Sequence, residues 1–144
     1  MRLLEVKGDL FAASTNNSLA HCVSEDLKMS KGIADTFRKN FGQVNNLVSQ
    51  NKKVGEVAHI CDPINGQHVF YMITKSRYFE KPSYEALFMC LVELRDLCKK
   101  LGITHLAMPR IGCGLDKLSW DIVQLYLKCV FQNCQDLNVT IYTL

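Results

Sequence analysis

A lysine that ends an apolar run and an aspartate that closes a glycine-bearing loop are the side chains here with the most specific chemical potential. Lys75 follows Val69-Phe70-Tyr71-Met72-Ile73-Thr74. A neutral lysine amine attacks a carbonyl carbon and forms a Schiff base. Asp116 ends Met108-Pro109-Arg110-Ile111-Gly112-Cys113-Gly114-Leu115-Asp116, where glycines let backbone N–H groups approach an anion closely. Each feature also has a plainer reading. A strand-end lysine is usually solvated, a Gly-x-Gly is often an ordinary strand-to-helix turn, and an aspartate near a helix start stabilises the helix dipole. Asp9, in Val6-Lys7-Gly8-Asp9-Leu10, is either a turn residue or an acceptor for an exocyclic amine. Ser24-Glu25-Asp26 either donates to a phosphate or ribose or caps a turn. His21 and His105 sit in strand-like runs and read as packed or hydrogen-bonded. Trp120 reads as a core or helix-start residue.

The elements that would position these groups alternate between strand and helix. Leu3–Lys7 and Ser18–Val23 are short β-like runs separated by Ser14-Thr15-Asn16-Asn17. Ile33, Ala34, Phe37 and Phe41 recur at helical spacing from Gly32 to Phe41, and Val44–Gln50 reads as a second short helix. Val54–Cys61 and His68–Thr74 are predicted strands joined across Pro63-Ile64-Asn65-Gly66, with Asn-Gly as the turn signal. The continuous apolar run Val69–Ile73 fits a strand covered on both faces. The clearest helix is capped by Ser83, ended by Gly102, and striped by Leu87, Cys90, Leu91, Leu94, Leu97 and Cys98. A strand at His105–Met108, a helix at about Ser119–Gln132 and a strand at Asn138–Thr143 follow. This alternation predicts a three-layer α/β/α domain with a mixed central sheet. Ligands of such sheets bind beyond the carboxyl ends of the strands, which singles out the loops after Lys7, Val23, Thr74 and Met108.

The whole-chain properties narrow the class. The 144 residues read as a single domain, 48% hydrophobic and 22% charged, with a formal charge of +3. That charge suits a small anionic ligand and is too weak to argue for nucleic acid, for which no aromatic–basic stacking pattern is apparent either. Charge interrupts Met1–Lys7, so no signal peptide is expected, and no apolar run approaches a membrane span. The seven cysteines are odd in number, form no Cys-x-x-Cys, and have no His pair at zinc spacing. No metal, no cofactor and no disulfide is expected, and the compartment is reducing, nuclear or cytoplasmic.

Val6–Phe11, Leu19–Asp26, Ile73-Thr74-Lys75, Met108–Asp116 and the terminal Tyr142-Thr143-Leu144 occur in order. Together they resemble macrodomains of the terminal ADP-ribose protein glycohydrolase, or O-acetyl-ADP-ribose deacetylase, type. The resemblance covers nearly the whole chain and carries most weight in Pro109–Asp116 combined with Lys75. Other macrodomain hydrolases have an Asn-Ala-Ala-Asn-like stretch after the second strand, whereas His21-Cys22-Val23-Ser24 contains no asparagine.

The resemblance implies a macrodomain over residues 1–144 that binds ADP-ribose and hydrolyses esters of it. It implies that Asp9 accepts from the adenine amine with Leu10 beside it, and that Ser24 touches the nucleotide. Arg110, Ile111, Gly112, Cys113, Gly114 and Leu115 would wrap the diphosphate and distal ribose, with Tyr142 and Leu144 walling the adenine end. Lys75 would attack the anomeric carbon, and Asp116 would act as acid and base. Attack needs a neutral amine, which burial or a cationic neighbour such as Arg77 favours. The implied partners are acyl-ADP-ribose and ADP-ribosylated proteins or nucleic acid, met by a monomer. The chain departs from the family pattern at Met29-Ser30-Lys31-Gly32, where small residues are usual. That departure keeps a second reading open, a non-catalytic ADP-ribose reader.

Overall fold

The computed structural model describes residues 1–144. Six strands form one sheet: β1 (Arg2–Lys7), β2 (Ser18–Ser24), β3 (Val57–Cys61), β4 (His68–Lys75), β5 (His105–Pro109) and β6 (Asn138–Thr143). Their spatial order is β1-β6-β5-β2-β4-β3, and only β3 runs antiparallel to its neighbour. The helices are α1 (Gly32–Phe41), α2 (Val44–Ser49), α3 (Tyr84–Leu101) and α4 (Trp120–Val130), with a 3-10 turn at Leu10–Ala12 that the sequence pattern did not announce.

The continuous apolar run of β4 serves two cores. Phe70 and Met72 join Leu87, Leu91 and Leu94 of α3 and Val123 and Leu127 of α4 on one side of the sheet. Val69, Tyr71 and Ile73 join Phe37 of α1 and Leu47 of α2 on the other. Alternate strand residues point to opposite faces, so a strand with helices on both sides has no polar face to show. This is the three-layer α/β/α arrangement with a mixed sheet.

The ends of α3 follow from its sequence. Ser83 accepts from the Ala86 N–H at 3.0 Å, and Gly102 leaves the helix at φ +69°. Ser83→Ala is expected to lower the unfolding free energy by ~1 kcal/mol, read as a lower denaturant midpoint at unchanged slope. An unchanged midpoint would show that water replaces the cap.

Several boundaries differ from the sequence reading, most by a single residue, and three of them bear on the architecture. β3 starts at Val57 rather than Val54, because Gly55 turns at φ +92° and its N–H donates to the Ile73 carbonyl. α4 is shorter than Ser119–Gln132, with Ser119 and Phe131 flanking it. β4 includes Lys75 as its last residue, so the lysine is held by the sheet rather than by a loop.

Candidate active site

Lys75 and Asp116 meet at the carboxyl end of the sheet. Nζ of Lys75 donates to Oδ1 of Asp116 at 2.6 Å, with the two side chains only 14% and 19% exposed. Lys75 comes from the end of β4 and Asp116 from the loop between β5 and α4, so the sheet order brings them together across 41 residues of chain. Between them lies β2, whose register slips after Val23 so that Ser24 pairs directly with Lys75.

The loop after β5 is shaped for an anion. Gly112 sits at φ +72°, and its carbonyl accepts from the Leu118 N–H at 2.7 Å, which closes the loop. A side chain at Gly112 would also strike Leu118, 2.8 Å from where its Cβ would lie. The N–H groups of Gly112, Gly114, Leu115 and Asp116 donate to no other protein group, which leaves a row of donors at the mouth of a crevice. Opposite them, Gly32 at φ +60° starts α1 and approaches Leu115, whose Cδ1 lies 3.6 Å from where a Gly32 Cβ would be.

These walls enclose a cleft of about 720 Å³. Of the residues the sequence nominated, Ser24, Lys75, Arg110, Ile111, Gly112, Gly114, Leu115 and Asp116 line it, as do Ser30 and Lys31 of the departing loop. A smaller cavity of about 190 Å³ lies at the opposite, amino end of the parallel strands, by Ser18, His68 and His105.

Several side chains serve the cleft by holding its walls. The Ser24 hydroxyl donates to Asp26, whose other oxygen accepts from the Tyr78 N–H at 3.0 Å. The loops after β2 and β4 are thereby tied together. Burial alone would raise the Asp26 carboxyl, but hydrogen bonds from Ser24, Tyr78 and Lys28 outweigh it and hold it below the usual range. The guanidinium of Arg110 donates from Nε to Glu5 at 3.0 Å, forms an ion pair with the same carboxylate, and lies 5.4 Å from the Trp120 ring centre. Its charge is thus used to pin the loop against β1 and α4. Trp120 is half-buried at the first turn of α4, in keeping with its reading as a helix-start residue.

Two thiols stand near the pair. Cys22 lines the cleft, and Cys113 donates to the Ile111 carbonyl at 3.3 Å while packing against the core. Burial pushes both thiols up, only partly offset by Arg110 for Cys113, so neither is a thiolate at neutral pH. Lys75 is left as the candidate nucleophile.

Asp9, Leu10 and Leu144 lie outside this cleft. Asp9 follows β1 and accepts from the Phe11 N–H at 2.9 Å; Leu10 is buried in the α1 and α2 layer; Leu144 is 97% exposed at the chain end. Ile33, Tyr78, Phe79, Lys81 and Lys117 line the cleft without having been singled out. For the loop after β4 the available signal is Arg77-Tyr78-Phe79-Glu80-Lys81, two aromatics between two cations.

A mixed sheet between two helical layers, with an anion-shaped loop and a lysine–aspartate pair at the strand ends, defines an α/β ligand-binding domain. The macro domain model matches residues 20–126, and the chain belongs to that family. It is 48% identical over 143 residues to the human ADP-ribose glycohydrolase OARD1, spanning 99% of this chain and 92% of that protein. The macrodomain of Mycobacterium tuberculosis DarG superposes with a TM-score of 0.89 at 23% identity, covering 99% of this chain and 97% of that one. Thermosipho africanus DarTG, solved in complex with ADP-ribose, gives 0.83 at 23% identity, over 99% of this chain and 42% of that one. Both structures share the fold.

Proposed function

We propose that this macrodomain binds ADP-ribose and hydrolyses esters of it, both O-acetyl-ADP-ribose and ADP-ribose carried on Glu or Asp side chains. The observation that carries the reading is the 2.6 Å contact between Lys75 and Asp116 at the floor of an anion-shaped cleft. The 48% identity to a protein named an ADP-ribose glycohydrolase supports it.

The diphosphate lies against the free N–H groups between Gly112 and Asp116, which places the distal ribose over Lys75. Ligand binding removes water from the pair. Attack requires a free lone pair on Nζ, so the proton that Nζ shares with Asp116 across 2.6 Å passes to the carboxylate. Nζ then attacks C1 of the distal ribose, the C1–O bond breaks, and the acyl group departs with the bonding electrons as a carboxylate. The new secondary ammonium loses one proton to that carboxylate. The nitrogen lone pair expels the ring oxygen, which takes the proton of Asp116, leaving an iminium on Lys75. Asp116, now a carboxylate, deprotonates the water that adds to C1 and returns the proton to nitrogen as the C–N bond breaks. Esters on the neighbouring hydroxyls reach the same carbon by acyl migration.

The catalytic domain is taken as residues 1–144 acting as a monomer in a reducing compartment. The parallel pairing of β1 with β6 draws the first and last strands into one sheet with the rest, which supports reading these residues as one domain. No helix is long and apolar enough to cross a membrane. Asp9 reaches the adenine amine with its second carboxylate oxygen, beside Leu10, Tyr142 and Leu144.

The reading is tested by incubating the protein with both ester substrates and measuring ADP-ribose release. Turnover of both is expected; tight ADP-ribose binding without release would establish a reader instead. Because side chains supply both nucleophile and acid/base, release is expected to continue unchanged in a chelator. Loss that a divalent ion restores would overturn the lysine route.

A further inference from the structure

The sheet has two outer edges, β3 and β1, and the chain treats them differently. An edge strand carries a row of N–H and C=O groups with no neighbour, which is a template for another chain. On β3 that row is occupied. The Ile73 N–H donates to the Glu56 carbonyl and the Asp62 N–H to the Gln67 carbonyl, so Val57, His59 and Cys61 turn their backbone groups outward. Side chains meet them there. Gln50 donates to the His59 carbonyl at 2.8 Å and accepts from its N–H at 3.0 Å. Glu93 accepts from the Val57 N–H at 3.1 Å, and Gln43 donates to the Cys61 carbonyl at 3.4 Å.

The edge at β1 is open. The Arg2 N–H donates to the Leu137 carbonyl at 2.9 Å and the Gly8 N–H to the Thr143 carbonyl at 2.7 Å. Leu3, Glu5 and Lys7 therefore turn their backbone groups away from β6, and no protein group meets them. The strand has no proline, and its register with β6 runs unbroken from Arg2 to Lys7. Of its charges, Glu5 is drawn to Arg110. Leu4, on the opposite face, is 56% exposed. Arg2 and Lys7 stand exposed toward either end, and neither belongs to an ion pair.

We propose that the outer edge of β1 docks an extended acidic segment of a partner protein as a further, antiparallel strand. Main-chain bonds to Leu3, Glu5 and Lys7 supply affinity, and the alternating side chains supply selectivity. The segment sets acids opposite Lys7 and Arg2 and apolar residues opposite Val6 and Leu4, where cross-strand pairs form. A second copy of β1 fits less well. The antiparallel register that uses all the outward groups sets Glu5 against Glu5 and Lys7 against Leu3, and gives neither Arg2 nor Lys7 an acid. None of these residues lines the cleft, so a docked segment leaves it open.

The test uses the intact protein and the peptide acetyl-Glu-Val-Thr-Val-Thr-Glu-amide, with counterparts that carry Gln or Lys in place of both Glu. The acidic peptide is expected to slow hydrogen exchange at the N–H groups of Leu3, Glu5 and Lys7, and to leave Gly112–Asp116 unchanged. Two cross-strand ion pairs should favour it over the Gln peptide by roughly 2- to 30-fold in Kd, with the Lys peptide weakest. Arg2→Glu combined with Lys7→Glu is expected to reverse that order, so that the Lys peptide binds best. Lys7→Pro deletes an outward donor and no bond to β6, and is expected to weaken even the Gln peptide. Equal affinity of the three peptides, protection at Gly112–Asp116 in place of β1, or no protection would overturn the docking edge. Protection of the same three amides that grows with protein concentration, without peptide, would overturn it in favour of a second copy.

Discussion

Lys75→Ala is expected to lower the release of ADP-ribose from an ester-linked substrate by roughly 1,000-fold or more, while ADP-ribose itself still binds. The size follows from the role. A residue that forms the bond to the reacting carbon leaves little behind when removed, whereas a charge that steadies the ligand costs far less. Lys75→Arg separates these alternatives. Arginine keeps the positive charge beside Asp116 and cannot lose its proton at working pH, so it is expected to fail as fully as alanine. Asp116→Ala is expected to lose ~100- to 10,000-fold, the usual span for a positioned acid/base. The double variant should be scarcely worse than Lys75→Ala, because both residues serve one route. Single-turnover kinetics and calorimetry with ADP-ribose provide the two readouts. Near-normal turnover by Lys75→Arg would reduce the lysine to an electrostatic role.

The second large effect concerns acid stability and rests on His21. Its ring is wholly buried, stacked on Phe37 at 3.7 Å with planes 3° apart, and neither ring nitrogen has a hydrogen-bond partner. Burial holds its pKa down to about 3, against 6.5 in the unfolded chain. Between these values the unfolded chain takes up a proton that the folded one refuses. The contribution of neutral His21 is therefore complete above pH 6.5 and is lost as the pH falls toward 3. By pH 4 the loss amounts to ~3 kcal/mol. Urea unfolding at pH 7 and pH 4 should show the protein losing about that much more than His21→Phe, whatever the variant's stability at pH 7. Identical losses in the two proteins would mean that the imidazole finds water or a partner in the fold.

The fold was legible where local chemistry and tertiary demand agree. Ser83 and Gly102 bound α3 because a cap and a left-handed exit are local requirements. Val69–Ile73 reads as doubly covered because both faces of β4 are indeed packed. The 3-10 turn at Leu10–Ala12 was not legible: it is too short for periodicity and depends on Asp9 accepting from Phe11. Lys75 and Asp116 could be suspected separately, one from its place after an apolar strand and the other from its loop. Their 2.6 Å contact depends on β5, β2 and β4 standing side by side, which no local pattern states. The same holds for the side chain of Arg110, whose pairing with Glu5 spans 105 residues and braces the loop.

Whether the sugar is carried on Lys75 during turnover tests the central claim most directly. The protein and its Asp116→Ala variant would be incubated with ester-linked ADP-ribose, reduced with borohydride to fix any iminium, digested and mapped by mass spectrometry. The lysine route predicts ADP-ribose on the peptide containing Lys75 in both, persisting longer in Asp116→Ala. Full turnover with no adduct at Lys75, or an adduct on another residue, would contradict it.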